Sequence, residues 1–329
     1  MLASWAELSA LADDDGAVMH GHILESLRDS QLFADTSGSP DDRDSTNPSS
    51  SAAILSETWS ILERRRHLLG DSWPLLLSES TLTRRADRRT LDRVAAYAAI
   101  LLIEAASSRW YPSLSIAAGD KIRTWFEFIV AASVSRLLGG VTSRFGAPFP
   151  SDWPATFPER VKHLAAIFEI EARDADIQKY ASPDQQDDSL DVLGRWKLTD
   201  EEEGCPYFLF QCATGENWKT HKPGQPSMDL WRAYISWNGP SYKALAIPFT
   251  LRERGELADV SIRHQSAFVF DRLRIAYGKP DDGIDEAIRV SLVEWCKTKF
   301  DILKGDEISA KTDSGAGGVT RKKPKAHGK

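Results

Sequence analysis

The sequence predicts an α/β protein in which a helical N-terminal extension precedes a mixed sheet flanked by helices. Two observations carry this prediction. In the first half of the chain, apolar residues recur at helical spacing. After Pro183 the pattern changes to short apolar runs separated by turn-rich segments, which is typical of strands. The order of helices, hairpin, further strands and a closing helix indicates an α/β core.

The chain divides by composition into four parts. Residues 1–56 are predicted to be a flexible N-terminal segment and linker, because residues 35–52 lack any apolar period. Residues 57–115 are predicted to be a helical region and residues 116–304 the α/β core. The Gly-, Ser- and Lys-rich residues 305–329 are predicted to form a disordered basic tail.

Helices are predicted wherever apolar residues repeat with the helical period. Gly139 and Gly140 are expected to end the helix before them, because glycine adopts the left-handed conformation of helix ends. The first of the predicted helices has only a weak pattern and is expected to dock on the rest of the chain. The predicted helices are Trp5–Phe33, Glu57–Leu69, Thr81–Ser108, Asp120–Leu138, Phe157–Arg173 and Ile284–Leu303.

Strands are predicted in the second half. Leu190–Leu198 and Tyr207–Cys212 flank a turn-rich segment, which indicates an antiparallel hairpin. Lys243–Thr250 and Ala267–Ile275 are predicted as two further strands.

Charge and cysteine content limit the functions that this chain can have. The net charge of −7 argues against a protein that coats nucleic acid nonspecifically, although a local basic groove is still possible. No apolar run is long enough to span a bilayer, so no membrane partner is expected. The three cysteines form no paired framework, which favours a reducing, cytoplasmic location.

Two oxygen-bearing side chains are predicted to meet at the end of the hairpin. Asp191 opens the first strand and Gln211 lies near the end of the second, and these ends are adjacent in an antiparallel pair. Such a pair suits a hard cation such as Mg²⁺, which takes one or two carboxylates together with water and substrate phosphate.

Glu127 is a third candidate, because it stands among aromatic residues on the helix Asp120–Leu138. If its carboxylate is turned inward, it needs a partner or a metal ion. The alternative is a glutamate that faces solvent on an amphipathic helix.

These residues carry a resemblance to a known family. Glu127, then Leu190-Asp191-Val192 at the start of a strand, then Phe210-Gln211-Cys212 in the following strand resemble the PD-(D/E)XK nuclease superfamily, which has the restriction-endonuclease-like fold. The resemblance covers residues 120–275. It implies hydrolysis of phosphodiester bonds with Mg²⁺ or Mn²⁺. Asp191 would be the main metal ligand, and Glu127 and Gln211 would complete or orient the site.

The chain departs from the family pattern at one position. Ala213 stands where the family has a lysine that orients the attacking water and offsets negative charge. That role would fall to Lys222 or Lys219. The departure leaves two hypotheses open, an active nuclease and a catalytically inactive scaffold or nucleic-acid-binding subunit. A helical regulatory protein without a nucleic-acid role is a third.

The resemblance also implies partners. DNA is the expected substrate, with RNA left open. The setting implied is bacterial anti-phage or restriction-like defence, in which this chain would be the effector of a multi-subunit complex. A protein partner that supplies a DNA-binding surface would fit the acidic net charge.

Four residues are candidates for contact with nucleic acid. Asn217 suits phosphate binding and Trp218 suits base stacking, with helix capping and core packing as the respective alternatives. Arg272 and Arg274 share one face if the strand Ala267–Ile275 continues, and would then clamp a phosphate. An internal salt bridge to Asp271 or a neighbouring acid is the alternative.

Overall fold

The computed structural model describes residues 2–13, 16–23, 48–86, 90–107, 111, 113–116, 120–198, 204–215, 218, 224–251 and 268–315. Its helices are α1 (Leu2–Ala12), α2 (Pro48–Leu69), α3 (Ala95–Ala106), α4 (Ile122–Leu138), α5 (Phe157–Ile167), α6 (Asp174–Tyr180), α7 (Met228–Tyr234), α8 (Arg272–Tyr277) and α9 (Glu286–Gly315). Its strands are β1 (Ala17–Met19), β2 (Leu75–Leu77), β3 (Thr81–Arg84), β4 (Thr142–Arg144), β5 (Glu171–Ala172), β6 (Val192–Arg195), β7 (Tyr207–Cys212), β8 (Ile235–Ser236), β9 (Ser241–Ala246) and β10 (Phe268–Phe270). Short 3-10 helices cover Gly70–Ser72, Leu91–Arg93 and Pro280–Asp282.

A mixed five-stranded sheet forms the centre of the molecule, with strand order β10-β9-β7-β6-β4. The pairs β4/β6 and β6/β7 are antiparallel, whereas β7/β9 and β9/β10 are parallel. The expected hairpin of β6 and β7 is therefore present. The predicted α/β class with a mixed sheet flanked by helices is confirmed.

Helices cover both faces of this sheet. On one face α4 packs closely over β6, because Gly194 has no side chain to hold Val134 and Leu138 away. On the other face α5 and α7 enclose an aromatic core. Residues of this second core include Phe145, Phe157, Leu193, Leu209 and Trp231. Strand alternation explains the division, since neighbouring residues such as Val192 and Leu193 belong to different cores.

The N-terminal segment that was predicted to be flexible contains packed elements. Helix α1 buries Ala3, Ala6 and Leu8, and β1 joins a small sheet of order β1-β3-β2. The expected docking helix is present but ends at Ala12. The fully buried Glu7 on this helix accepts a hydrogen bond from Arg65 at 2.5 Å, which attaches α1 to α2.

Two predicted helices are shorter than expected. The segment 81–108 begins with strand β3, which pairs with both β1 and β2, and α3 starts only at Ala95. The segment 157–173 leaves the helix after Ile167, and Glu171–Ala172 then pairs with β8. In both cases hydrogen bonds to other strands replace a helix that the local pattern permits.

The predicted strand 267–275 is wrong in its second half. Strand β10 ends at Phe270, and Arg272 begins helix α8. Asp271 is the reason, because its side chain accepts a hydrogen bond from the backbone of Arg274 at 3.1 Å and so caps the helix.

Within the described part of the chain, no helix combines the length and the apolar character that crossing a membrane requires.

Candidate active site

Asp191 and Gln211 lie side by side at one end of the central sheet. Val192 pairs with Phe210 in the β6/β7 ladder, so Asp191 falls opposite Gln211. The backbone of Asp191 continues the ladder, since its N–H donates to the Phe210 carbonyl at 2.9 Å. Its carbonyl accepts from Phe145 at 2.7 Å and Gly146 at 3.1 Å. Asp191 is therefore held between the ends of β4 and β7. The sequence predicts its place beside Gln211 but not the neighbour β4.

The two side chains are in direct contact and almost fully buried. The Gln211 amide nitrogen donates to Oδ2 of Asp191, and so does the backbone N–H of Cys212, at 2.5 Å. Only 6% of Asp191 and 4% of Gln211 is exposed. The Gln211 amide oxygen is buried and accepts no hydrogen bond from the residues that the structure describes. An acceptor buried in this way needs a partner such as a water molecule or an ion.

A turn before β6 fixes the approach of the chain to Asp191. Asp188 and Ser189 both have positive φ, 48° and 61°, which is uncommon outside glycine. Asp187 holds this turn by accepting from the Ser189 N–H at 2.9 Å. Burial raises the pKa of the Asp188 carboxyl. Asp187 and Asp188 are thus half-buried parts of the turn.

Glu127 is turned inward, and its partner is Arg144 on β4. The Arg144 Nε donates to the Glu127 carboxylate at 2.7 Å, and Arg144 also donates to the Pro148 carbonyl at 2.8 Å. Glu127 is 9% exposed, so the solvent-facing alternative is wrong. Gly146 makes room for this carboxylate, since a Cβ there would stand 2.7 Å from the Glu127 Cδ.

The Glu127 carboxyl titrates near neutrality. Desolvation by burial raises its pKa from the ordinary 4.5 to about 7, in spite of the opposing effect of the Arg144 guanidinium. The negative charge of Asp187 makes the smallest contribution to this rise. A carboxyl of this kind can hold or release a proton at physiological pH.

The sheet separates Glu127 from the other two candidates. Arg144 turns towards α4, as its bond to Glu127 shows, and alternation sends its neighbour Phe145 into the opposite core. Asp191 and Gln211 are two residues away from Leu193 and Leu209 on their strands and so lie on the same face of the sheet. Leu193 and Leu209 belong to that opposite core. All of these residues lie at the same end of the sheet.

The position at which the PD-(D/E)XK pattern has a lysine lies in an apolar environment. Ala213 is buried and packs in one cluster with Trp218, Leu245 and Ile247. Lys219 and Lys222, the two residues expected to replace that lysine, lie outside the described residues.

The candidates for nucleic-acid contact fall in different places. Trp218 is 1% exposed, which favours core packing over base stacking. Arg272 is fully buried and contacts Glu7 at 3.1 Å, so it forms an internal salt bridge and no phosphate clamp, although its partner is a distant acid and not Asp271 or a neighbour. Arg274 is exposed and donates to the Val269 carbonyl at 2.6 Å. Asn217 lies outside the described residues.

No three His, Cys, Asp or Glu side chains in the described ranges stand close enough together to hold a metal ion. The oxygens available for a cation at the Asp191–Gln211 pair are therefore one carboxylate and one amide.

Sequence reasoning missed Arg144, which is the charged partner of Glu127. Its strand has only three residues, Thr142–Arg144, and so is too short to show alternation. The signal that was present is Gly146, because a glycine just after a short strand is typical of a close approach by another part of the chain.

Comparisons with known proteins identify no relative, since no family model, no curated protein and no solved structure matches this chain.

Proposed function

We propose that this chain is a divalent-metal-dependent nuclease that hydrolyses phosphodiester bonds, with DNA as its substrate and RNA as the alternative. The observation that carries the proposal is the buried pair of Asp191 and Gln211, in which the Gln211 amide oxygen has no donor among the described residues. A buried carboxylate beside an unsatisfied oxygen is a favourable environment for a hard cation.

The residues at this pair fit the Mg²⁺ or Mn²⁺ that the family resemblance implies. Mg²⁺ is commonly bound through one or two carboxylates, with water and substrate phosphates as its other ligands. Asp191 would supply the carboxylate and Gln211 the amide oxygen. When bound, such an ion polarises a phosphoryl oxygen and lowers the pKa of water.

Other residues at this end of the sheet would handle protons and charge. Glu127, with a pKa of about 7, can exchange a proton at this end of the sheet, on the face opposite to Asp191 and Gln211. Arg144 holds the Glu127 carboxylate in place. In this proposal Lys222 or Lys219 orients the attacking water and offsets negative charge.

The arrangement of elements supports a restriction-endonuclease-like core. The helix with Glu127, the strand with Asp191 and the next strand with Gln211 follow each other in the order that the resemblance implies, and they meet around one mixed sheet. The proposal extends to a cytoplasmic effector of anti-phage defence that acts with a protein partner, which the net charge of −7 favours.

A second function, that of a catalytically inactive scaffold or nucleic-acid-binding subunit, is favoured by two observations. Ala213 and Trp218 are apolar and buried where the family pattern has its lysine. The Asp191 carboxylate already accepts hydrogen bonds from Gln211 and Cys212, which would hold it without a metal ion.

The two functions are separated by a cleavage assay with plasmid, linear duplex, single-stranded DNA and RNA in the presence of Mg²⁺ or Mn²⁺. We expect Asp191→Asn to reduce cleavage by about 100-fold or more, since loss of a metal ligand should cost more than loss of a supporting contact. Asp184→Asn is the matched control, because Asp184 is exposed and should have no effect.

The possible results lead to different conclusions. Cleavage that survives Asp191→Asn would place the chemistry elsewhere and overturn the proposed site. A wild-type protein that binds nucleic acid without cutting it, alone and with co-purified partners, would establish the inactive subunit.

A further inference from the structure

A cavity of about 400 Å³ lies between the end of α3, the start of α4 and the residues after β7. This volume lies within the roughly 300–1,000 Å³ that is typical of ligand sites, so it admits more than a bare ion. The polar part of its lining comes from the end of α3 and the segment after it, from the first turn of α4 and from the residues after β7. These residues are Ser107, Tyr111, Ser115, Arg123, Thr214 and Gly215.

Two elements connect the cavity with the candidate catalytic residues along the chain. Arg123 lies four residues before Glu127 on α4, and residues at this spacing share a helix face. Thr214 lies three residues after Gln211, about 10 Å along an extended chain. The Ser107 hydroxyl donates to the Thr214 carbonyl at 3.5 Å and so links the two walls.

The chemistry of the lining selects an anion. The residues that line the cavity carry one guanidinium, one phenol and three hydroxyl groups, and no carboxylate is among the described residues that line it. This is notable in a chain with 48 acidic and 41 basic residues. Hydroxyl and guanidinium groups are among the side-chain groups that contact the phosphates of nucleic acids.

Arg123 is available for such an anion. Its side chain is exposed and makes no ion pair with any residue that the structure describes. Arg136, at the other end of the same helix, is different because it stands 3.7 Å from Asp282.

We propose that this cavity is a subsite for a backbone phosphate of a nucleic-acid strand, with Arg123 as its main cationic contact. The inference rests on the proposed function for the choice of ligand. The subsite would hold a phosphate next to the one that reacts, and so position the strand across the end of the sheet.

The test is a binding titration of fluorescein-labelled single-stranded oligonucleotides in EDTA, which prevents cleavage. One arm uses DNA and the other uses RNA of the same sequence. We expect Arg123→Gln to weaken binding about tenfold, as for the loss of one charge-assisted contact. The slope of log affinity against log salt concentration should become shallower by about 0.7, as for one phosphate contact fewer on a single strand.

Arg136→Gln is the matched control, since it removes the same charge from the same helix and should change neither quantity. Equal losses in both variants would mean that only net charge matters, and unchanged binding by Arg123→Gln would mean that the cavity does not hold phosphate. Either result overturns the proposal, as does a wild type that binds neither oligonucleotide. Equal losses of affinity for DNA and RNA would indicate that the protein recognises the phosphate, which both share. A loss of affinity confined to one of them would identify the preferred nucleic acid.

This titration, read together with the cleavage assay of Asp191→Asn, separates this inference from the proposed function. Binding that depends on Arg123 in a protein that never cleaves would retain the subsite and reject the nuclease. Cleavage that depends on Asp191, together with binding that is insensitive to Arg123, would retain the nuclease and reject the subsite.

Discussion

Glu127 and Arg144 form a charge pair from which water is largely excluded. The side chains are 12% and 6% exposed, so the ionised carboxylate loses most of its hydration. Arg144 recovers part of that loss through a bond of 2.7 Å, but burial has the larger effect, and the pKa rises to about 7. A single residue thus links the stability of the fold to the pH range in which the site would act.

We compare the free energies of unfolding of wild type and Glu127→Gln. The value for wild type minus the value for the variant should fall as pH rises from about 4.5 to about 7. In this range the folded state keeps the Glu127 proton that the unfolded chain has lost, and folding therefore becomes less favourable with each increment of pH. The total change should be no more than about 3 kcal/mol. Urea unfolding of both proteins in metal-free buffer at several pH values measures it. A difference that stays constant, or grows with pH, would show that the carboxyl is already ionised in the acidic range.

At the scale of elements, a capping side chain decides where a strand changes into a helix. Asp271 follows β10 and accepts from the backbone of Arg274 at 3.1 Å and of Leu251 at 3.4 Å. Burial raises the pKa of its carboxyl. The cap starts α8 at Arg272 and so directs that arginine into the interior and not along the sheet.

We expect Asp271→Ala to lower the free energy of unfolding by about 1–2 kcal/mol, because two backbone N–H groups lose their acceptor. Ser227 is a matched comparison, since it caps α7 through an exposed bond of 3.5 Å. Ser227→Ala should cost less. Denaturant unfolding of both variants checks the order, and Asp271→Asn, which keeps an oxygen acceptor, should recover part of the loss. The reverse order of the two alanine variants would contradict the capping argument.

At the scale of the whole molecule, a buried polar cluster joins the N-terminal helix to the core. Glu7 accepts from Arg65 at 2.5 Å, Arg272 at 3.1 Å, Trp73 at 2.8 Å and Tyr97 at 2.9 Å. Burial, together with the negative charge of Glu7, raises the pKa of Tyr97, so its hydroxyl stays protonated and donates. Helices α1, α2, α3 and α8 meet at this point.

We expect Glu7→Ala to destabilise the protein by about 3–5 kcal/mol, since it leaves two buried guanidinium groups without their common carboxylate. The control is Glu63→Ala. Glu63 pairs with Arg66 on the surface and should change stability by less than about 1 kcal/mol. Chemical unfolding of both variants measures the two effects. A loss for Glu7→Ala as small as that of the control would mean that α1 contributes little to the fold.

The sequence by itself determined the features that depend on local pattern. The α/β class, the helix over residues 122–138 with its end at Gly139, and the hairpin partner Tyr207–Cys212 all follow from apolar periodicity and glycine placement. The pairing of Asp191 with Gln211 also follows, because register in a hairpin is a short-range property.

Only the tertiary structure decided which charges are buried together. Arg272 contacts Glu7 across a separation of 265 residues, and Arg144 reaches Glu127 from a strand too short to have a pattern. The cavity beside Arg123 is likewise built from three separate segments. Long-range contacts of this kind depend on how the helices pack on the sheet, and periodicity along the chain contains no information about that packing.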